Sequence, residues 1–152
     1  MKRAFSVVLV FLLLFSLSPF AVAATAPPGF QRMSDSDMEK LCSSVNEGSS
    51  IYRWEYDKEL GALVITYTET DVTDSEKSLC GLVKGAAAGD ENAANRLLLT
   101  EMIFKDYIDS VLDNFYSSGW YADVVLRCID SLADNTLALE YINGVRTSYR
   151  PA

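Results

Sequence analysis

The sequence predicts an α+β domain in two layers, an antiparallel sheet of about five strands with helices on one face. Two observations carry this. Apolar residues recur first at helical spacing, then every second residue, then at helical spacing over two segments, and finally every second residue again. The period-two stretches are joined by short turns, and the last turn, Asn143-Gly144, is the strongest two-residue hairpin signal known. Helices segregated from antiparallel hairpins pack as one layer over one sheet face.

The chain opens with Met1-Lys2-Arg3 and an almost unbroken apolar run from Ala4 to Leu17. Pro19 breaks that run, and Ala21-Val22-Ala23 supplies the small residues a signal peptidase reads. Residues 1–23 are therefore expected to be a secretory signal cleaved near Ala23, which makes the protein secreted, either extracellular or periplasmic. The competing reading is a retained anchor, because the run extended to Ala24 is long enough to span a bilayer. The small-residue triplet and the Pro27-Pro28-Gly29 segment that follows favour cleavage. Residues 24–33 read as a linker and 34–152 as a single α+β domain. Removing 1–23 from the 152 residues leaves 129, enough for one hydrophobic core.

Ser34, with Asp37 three residues on, opens the first helix as a near capping box. Met38, Leu41, Cys42 and Val45 give it one apolar stripe. Tyr52, Trp54 and Tyr56 then alternate with Arg53, Glu55 and Asp57 in a half-buried strand. Lys58 to Gly61 turns the chain into a second strand, with Leu63, Ile65 and Tyr67 on one face. Thr73 and Glu76 form a second capping-box pattern, followed by Leu79, Cys80, Leu82 and Val83 as a helical face. Gly81, Gly85 and Gly89 stand four apart, a spacing expected at a tight helix crossing or a fraying helix end. Asp90 caps the third and longest helix, whose inner side carries Leu97, Phe104, Ile108, Val111 and Phe115, and Ser117-Ser118-Gly119 ends it. Ala122, Val124, Leu126 and Cys128 then alternate through a strand. Leu137, Leu139 and Tyr141 follow in another, and Val145, Thr147 and Tyr149 in the last. One buried sheet face should collect Leu63, Ile65, Tyr67, Val124, Leu126, Leu137 and Leu139.

Composition excludes several functions. The chain has 13 basic and 21 acidic residues, and losing Lys2 and Arg3 with the signal takes the net charge from −8 to −10. Nucleic acid and anionic membranes need a basic footprint, so neither is an expected partner, and no membrane association is expected after cleavage. There is no histidine, which removes Ser-His-Asp and Cys-His catalysis and histidine metal sites. Cys42, Cys80 and Cys128 are odd in number and widely spaced. They read foremost as small buried hydrophobes, with one bridge as the alternative.

No catalytic motif is present, and no metal or cofactor is expected. The densest acidic run is Glu69, Asp71, Asp74 and Glu76. Its spacing matches no calcium loop, and helix-dipole stabilisation accounts for acids at a helix start. Tyr52, Trp54 and Tyr56 are expected to lie under the helices. Trp120 and Tyr121, directly after a helix stop, are the best ligand-binding candidates. The expectation is an exported, non-catalytic binding module for a protein, peptide or glycan. The alternative is a small carboxylate-dependent hydrolase. Two carboxylates converging in a concave pocket would favour the enzyme, and an exposed aromatic or apolar patch the binding module.

Overall fold

The computed structural model describes residues 26–49 and 51–147. The expected signal and Tyr149 lie outside them. In chain order the elements are β1 (Gln31–Arg32), α1 (Asp35–Gly48), β2 (Tyr52–Asp57), β3 (Ala62–Glu69), α2 (Leu79–Ala87), α3 (Glu91–Ser117), β4 (Trp120–Tyr121), β5 (Asp123–Asp130), β6 (Thr136–Ile142) and β7 (Val145–Arg146). A short 3-10 turn, Ser131–Ala133, links β5 to β6. The fold class is α+β.

The five-stranded sheet has the order β2-β3-β5-β6-β7. The β2–β3 hairpin and the β5–β6–β7 meander are antiparallel. They join through β3 and β5, which run parallel. The sheet is thus mixed, not antiparallel throughout. The reason lies in the connection: α2 and α3 carry the chain back across the sheet, and a helical crossover is what parallel neighbours require. Hairpin signals report pairing within each hairpin and say nothing about how two hairpins meet.

Leu63, Ile65, Val124, Leu126, Cys128, Leu139 and Tyr141 face the helices and meet Met38, Cys42, Leu79, Leu82, Leu97, Phe104, Ile108, Val111 and Phe115 in one core. Fully buried residues such as Leu63, Ile65 and Leu126 each contribute about 1.5–3 kcal/mol by leaving water. A smaller apolar cluster, Ala62, Val64 and Val125 with Leu60 and Ile142, lies on the opposite face. The two central strands are therefore buried on both sides over part of their length, as parallel strands usually are. Leu137 departs from the expected face. Cys128 pairs with Leu139 and Ile129 with Leu137, so Ala138 is an extra residue in a bulge. The extra residue puts Ala138 in the core in place of Leu137.

Local capping set two helices where the sequence put them. Ser34 Oγ accepts the Asp37 N–H and donates to the Asp37 carboxylate, and Asp90 Oδ1 accepts the N–H groups of Asn92 and Ala93. Helix α2 instead begins at Leu79, five residues beyond the Asp74 start implied by Thr73 and Glu76. Residues 74–77 form a separate turn, closed by N–H groups of Lys77 and Ser78 on the Asp74 carbonyl. That turn folds against the start of α2 so closely that a β-carbon on Gly81 would collide with the Ser75 carbonyl. Gly85 makes the helix crossing: a β-carbon there would stand 2.7 Å from Ala93 of α3.

Residues 24–33 are not wholly a linker. Gln31 and Arg32 pair in parallel with Trp120 and Tyr121, and the Arg32 guanidinium reaches the Asp123 carboxylate at 2.8 Å. At the far end, Asn143 and Gly144 both take positive φ, 50° and 79°. That is what the tightest hairpin turn demands and what few other residue pairs tolerate.

Candidate functional site

Two carboxylates do come together. Glu69 and Asp130 are register partners at the ends of β3 and β5, and both point at the start of α2. Glu69 Oε2 accepts the Leu79 N–H at 2.8 Å, and Asp130 Oδ2 accepts the Cys80 N–H at 2.9 Å. The other Asp130 oxygen takes the N–H groups of Leu132 and Ala133. Burial alone would raise the Asp130 pKa, but hydrogen bonds from Ser78, Cys80 and Leu132 outweigh it and hold the carboxyl below its usual range. Glu69 moves the other way, raised by burial and by the neighbouring Asp130 charge against the pull of the Leu79 N–H.

Opposed shifts of this kind mark many acid–base pairs. Here the geometry gives them another role. Asp130 is 0 % exposed, and each of its oxygens already holds backbone donors, so a substrate has no approach to it. The pair satisfies the first N–H groups of α2, which a helix leaves without intrahelical partners. The remaining acids of the run scatter. Asp74 closes its own turn and pairs with Lys77, while Asp71 lies beside Thr70. Among the described residues no group of three or more potential ligands is placed to hold a metal ion.

The Tyr52-Trp54-Tyr56 stripe is packing. All three rings are half-buried against the main core. Tyr52 stacks on Tyr107 of α3 with centroids 3.9 Å apart and planes 9° from parallel, and the Trp54 indole N–H donates to the Tyr107 hydroxyl at 2.9 Å. On the outer edge of β2, the Asn46 side chain accepts the Trp54 N–H and donates to the Trp54 carbonyl, both at 2.8 Å. An edge strand that would otherwise offer free backbone is thereby closed at its centre.

Trp120 and Tyr121 are neighbours on a strand and do not form one platform. Trp120 packs on the core and lines an apolar crevice of about 360 Å³ with Met33, Leu41, Trp54, Val111 and Phe115. Tyr121 donates its hydroxyl to Asp123 at 2.9 Å, stacks on Tyr116 and lies under the Arg32 guanidinium. Burial, followed by the Asp123 contact, pushes the Tyr121 pKa to about 12. Tyr121 is held within the β1–β4 corner, whereas Trp120 opens into a space that a small apolar group fits.

Among the described residues, the exposed large apolar side chains gather most closely on the outer side of α3. Leu98, Leu99, Met102 and Ile103 are 56, 62, 54 and 63 % exposed. Spacings of one, three and four residues set them on one stripe, on the side of the helix away from Leu97, Phe104 and Ile108. The β6–β7 hairpin walls one flank: Arg146 pairs with Glu101, and a β-carbon on Gly144 would stand 3.0 Å from the Asp109 carboxylate. Single exposed leucines are ordinary, but four apolar side chains in one patch are not. The expected inner face of this helix leaves the stripe out. Its signal was present, since Leu97-Leu98-Leu99 and Met102-Ile103-Phe104 hold about twice the apolar residues that one buried face uses.

Compared with protein-family models, curated proteins and solved structures, the chain matches none.

Proposed function

We propose that this chain is an exported, non-catalytic interaction module that binds a protein, peptide or glycan partner, with the outer stripe of α3 as the principal contact. The observation that carries the reading is the exposure of Leu98, Leu99, Met102 and Ile103 on a helix whose other side is fully packed. Keeping four such side chains in water forgoes stabilisation that burial would supply, and a partner recovers it. The Trp120 crevice is a second, smaller contact for one apolar group, with Tyr121 forming part of its supporting corner. Export is supported by the signal-like residues 1–23. The hydrolase alternative draws little support, because the carboxylates that meet, Glu69 and Asp130, cap a helix and Asp130 is enclosed.

The test compares the parent with Leu99→Glu/Ile103→Glu and with Trp120→Ala, each as bait for exported proteins and glycans of the native host. A ligand retained by the parent and lost with the α3 variant, at unchanged melting temperature, supports the reading. Retention by the α3 variant with loss in Trp120→Ala moves the site to the crevice. Retention by both removes the proposed surface.

A further inference from the structure

Resting on the α3 reading, we infer that the partner is a cationic amphipathic helix, a peptide or protein segment whose apolar stripe is flanked by lysine or arginine. Shape and charge point the same way. A straight stripe at helical spacing on the surface of a helix matches a second helix laid along it. Helix α3 carries five acids, Glu91, Glu101, Asp106, Asp109 and Asp113, against two bases, Arg96 and Lys105. The net balance is acidic at both ends of the stripe: Asp90 and Glu91 outnumber Arg96 before it, and after it Asp106 and Asp113 remain once Lys105 pairs with Asp109. The chain as a whole carries −8, or −10 without Lys2 and Arg3, so a cationic partner is drawn in at long range as well.

The same charges disfavour a second copy of this chain. Antiparallel pairing centred on the stripe sets Asp109 and Asp113 of each copy near Asp90 and Glu91 of the other. Parallel pairing sets Asp106 against Asp106 and Asp113 against Asp113. Four side chains are also a small seam for a dimer, which ordinarily buries about 1,200–2,000 Å². A cationic helix gains from the acids that a second copy must overcome.

The experiment uses protein purified after expression of the full chain and two synthetic peptides of about 15 residues. One has leucine at helical spacing with lysine elsewhere; the other has glutamate in place of lysine. Titration followed by calorimetry and amide chemical shifts should show the lysine peptide binding, with shifts centred on residues 95–106, and the glutamate peptide binding at least about tenfold more weakly. Leu99→Glu/Ile103→Glu is decisive because it adds negative charge while removing apolar surface. Attraction by charge alone would strengthen lysine-peptide binding, whereas docking on the stripe predicts a loss of about tenfold or more. Stronger binding by that variant, or equal binding of the two peptides, overturns the cationic-helix assignment. Concentration-dependent dimerisation of the parent that the variant abolishes also overturns it, replacing the partner by a second copy while leaving α3 as the interaction face. If neither peptide binds and the parent stays monomeric, the partner assignment fails, and the bait comparison with the α3 variant then decides separately whether the face itself is used.

Discussion

Trp54 on β2 and Tyr107 on α3, 53 residues apart, are joined by an indole-to-hydroxyl hydrogen bond of 2.9 Å. Through it the outermost long strand is tied to the longest helix. Tyr52 adds a stacked ring on the same tyrosine, and α1 holds the strand from outside through Asn46.

Trp54→Ala should therefore destabilise the protein by about 3–5 kcal/mol, since it removes a large packed ring and opens space beside Trp120. Trp54→Phe keeps most of the packing and loses the indole donor, so it should cost less, about 1–2 kcal/mol. Urea denaturation measures both. A Trp54→Ala protein that melts like the parent would show that the ring is not structural and would make the stripe a binding platform.

The sheet register yields a graded prediction. Leu126→Ala and Leu139→Ala empty the main core and should each cost about 2–5 kcal/mol. Leu137→Ala, displaced from that core by the bulge at Ala138, should cost under about 1 kcal/mol, as should Thr66→Ala on the other face. Equal losses at positions 137 and 139 would mean that the strand has no bulge.

How much of this was legible depends on whether the cause is local. The Ser34 and Asp90 caps, the alternation of β2 and the Asn143-Gly144 turn follow from neighbouring residues, and all appear where the sequence puts them. The start of α2 does not, because Glu69 and Asp130 arrive from 10 and 50 residues away to accept its N–H groups. The parallel β3–β5 pairing and the Ala138 bulge likewise arise from assembly between distant segments. The α3 stripe was readable as an apolar surplus, but which half of the surplus faces solvent is settled by what packs beneath.

The same helix start gives a pH dependence. Asp130 has a folded pKa below the ordinary 3.8, so its ionised form is favoured by folding. Its contribution is present above the unfolded value and is lost as pH falls through the folded one. Asp130→Asn should cost about 1.5–3 kcal/mol at neutral pH, through weakened bonds to Ser78, Cys80, Leu132 and Ala133, and should flatten the acid side of the stability curve below about pH 4. Glu69, raised instead, has the opposite sign: Glu69→Gln should relieve a cost that the parent carries above its folded pKa, partly offsetting the weaker bond to Leu79. Denaturation curves from about pH 3 to pH 7 for both variants check the two signs.

Two glycines separate close approach from simple helix propensity. Gly81→Ala drives a methyl into the Ser75 carbonyl and should destabilise by about 1–3 kcal/mol or prevent folding. Gly48→Ala, at the end of α1 with nothing within 4 Å, should be neutral or stabilise by up to about 1 kcal/mol. Comparable losses at both sites would remove the claim that residues 74–77 pack on α2.

The thiols provide the last test. Cys42 on α1, Cys80 on α2 and Cys128 on β5 are all free and buried, and burial raises each thiol pKa, that of Cys80 to about 11. The neighbouring Asp130 charge adds to the shift at Cys80. A thiol reacts as its thiolate, so both the missing access and the missing ionisation protect these side chains. Native protein at about pH 8 should give almost no colour with a thiol-specific disulfide reagent. Protein unfolded in guanidinium without reductant should give three thiols per chain. Cys128, at 0 % exposure, should be the last labelled when the native protein is followed for hours. One thiol per unfolded chain would mean that a bridge has formed among the three, in place of the three free thiols of this structure.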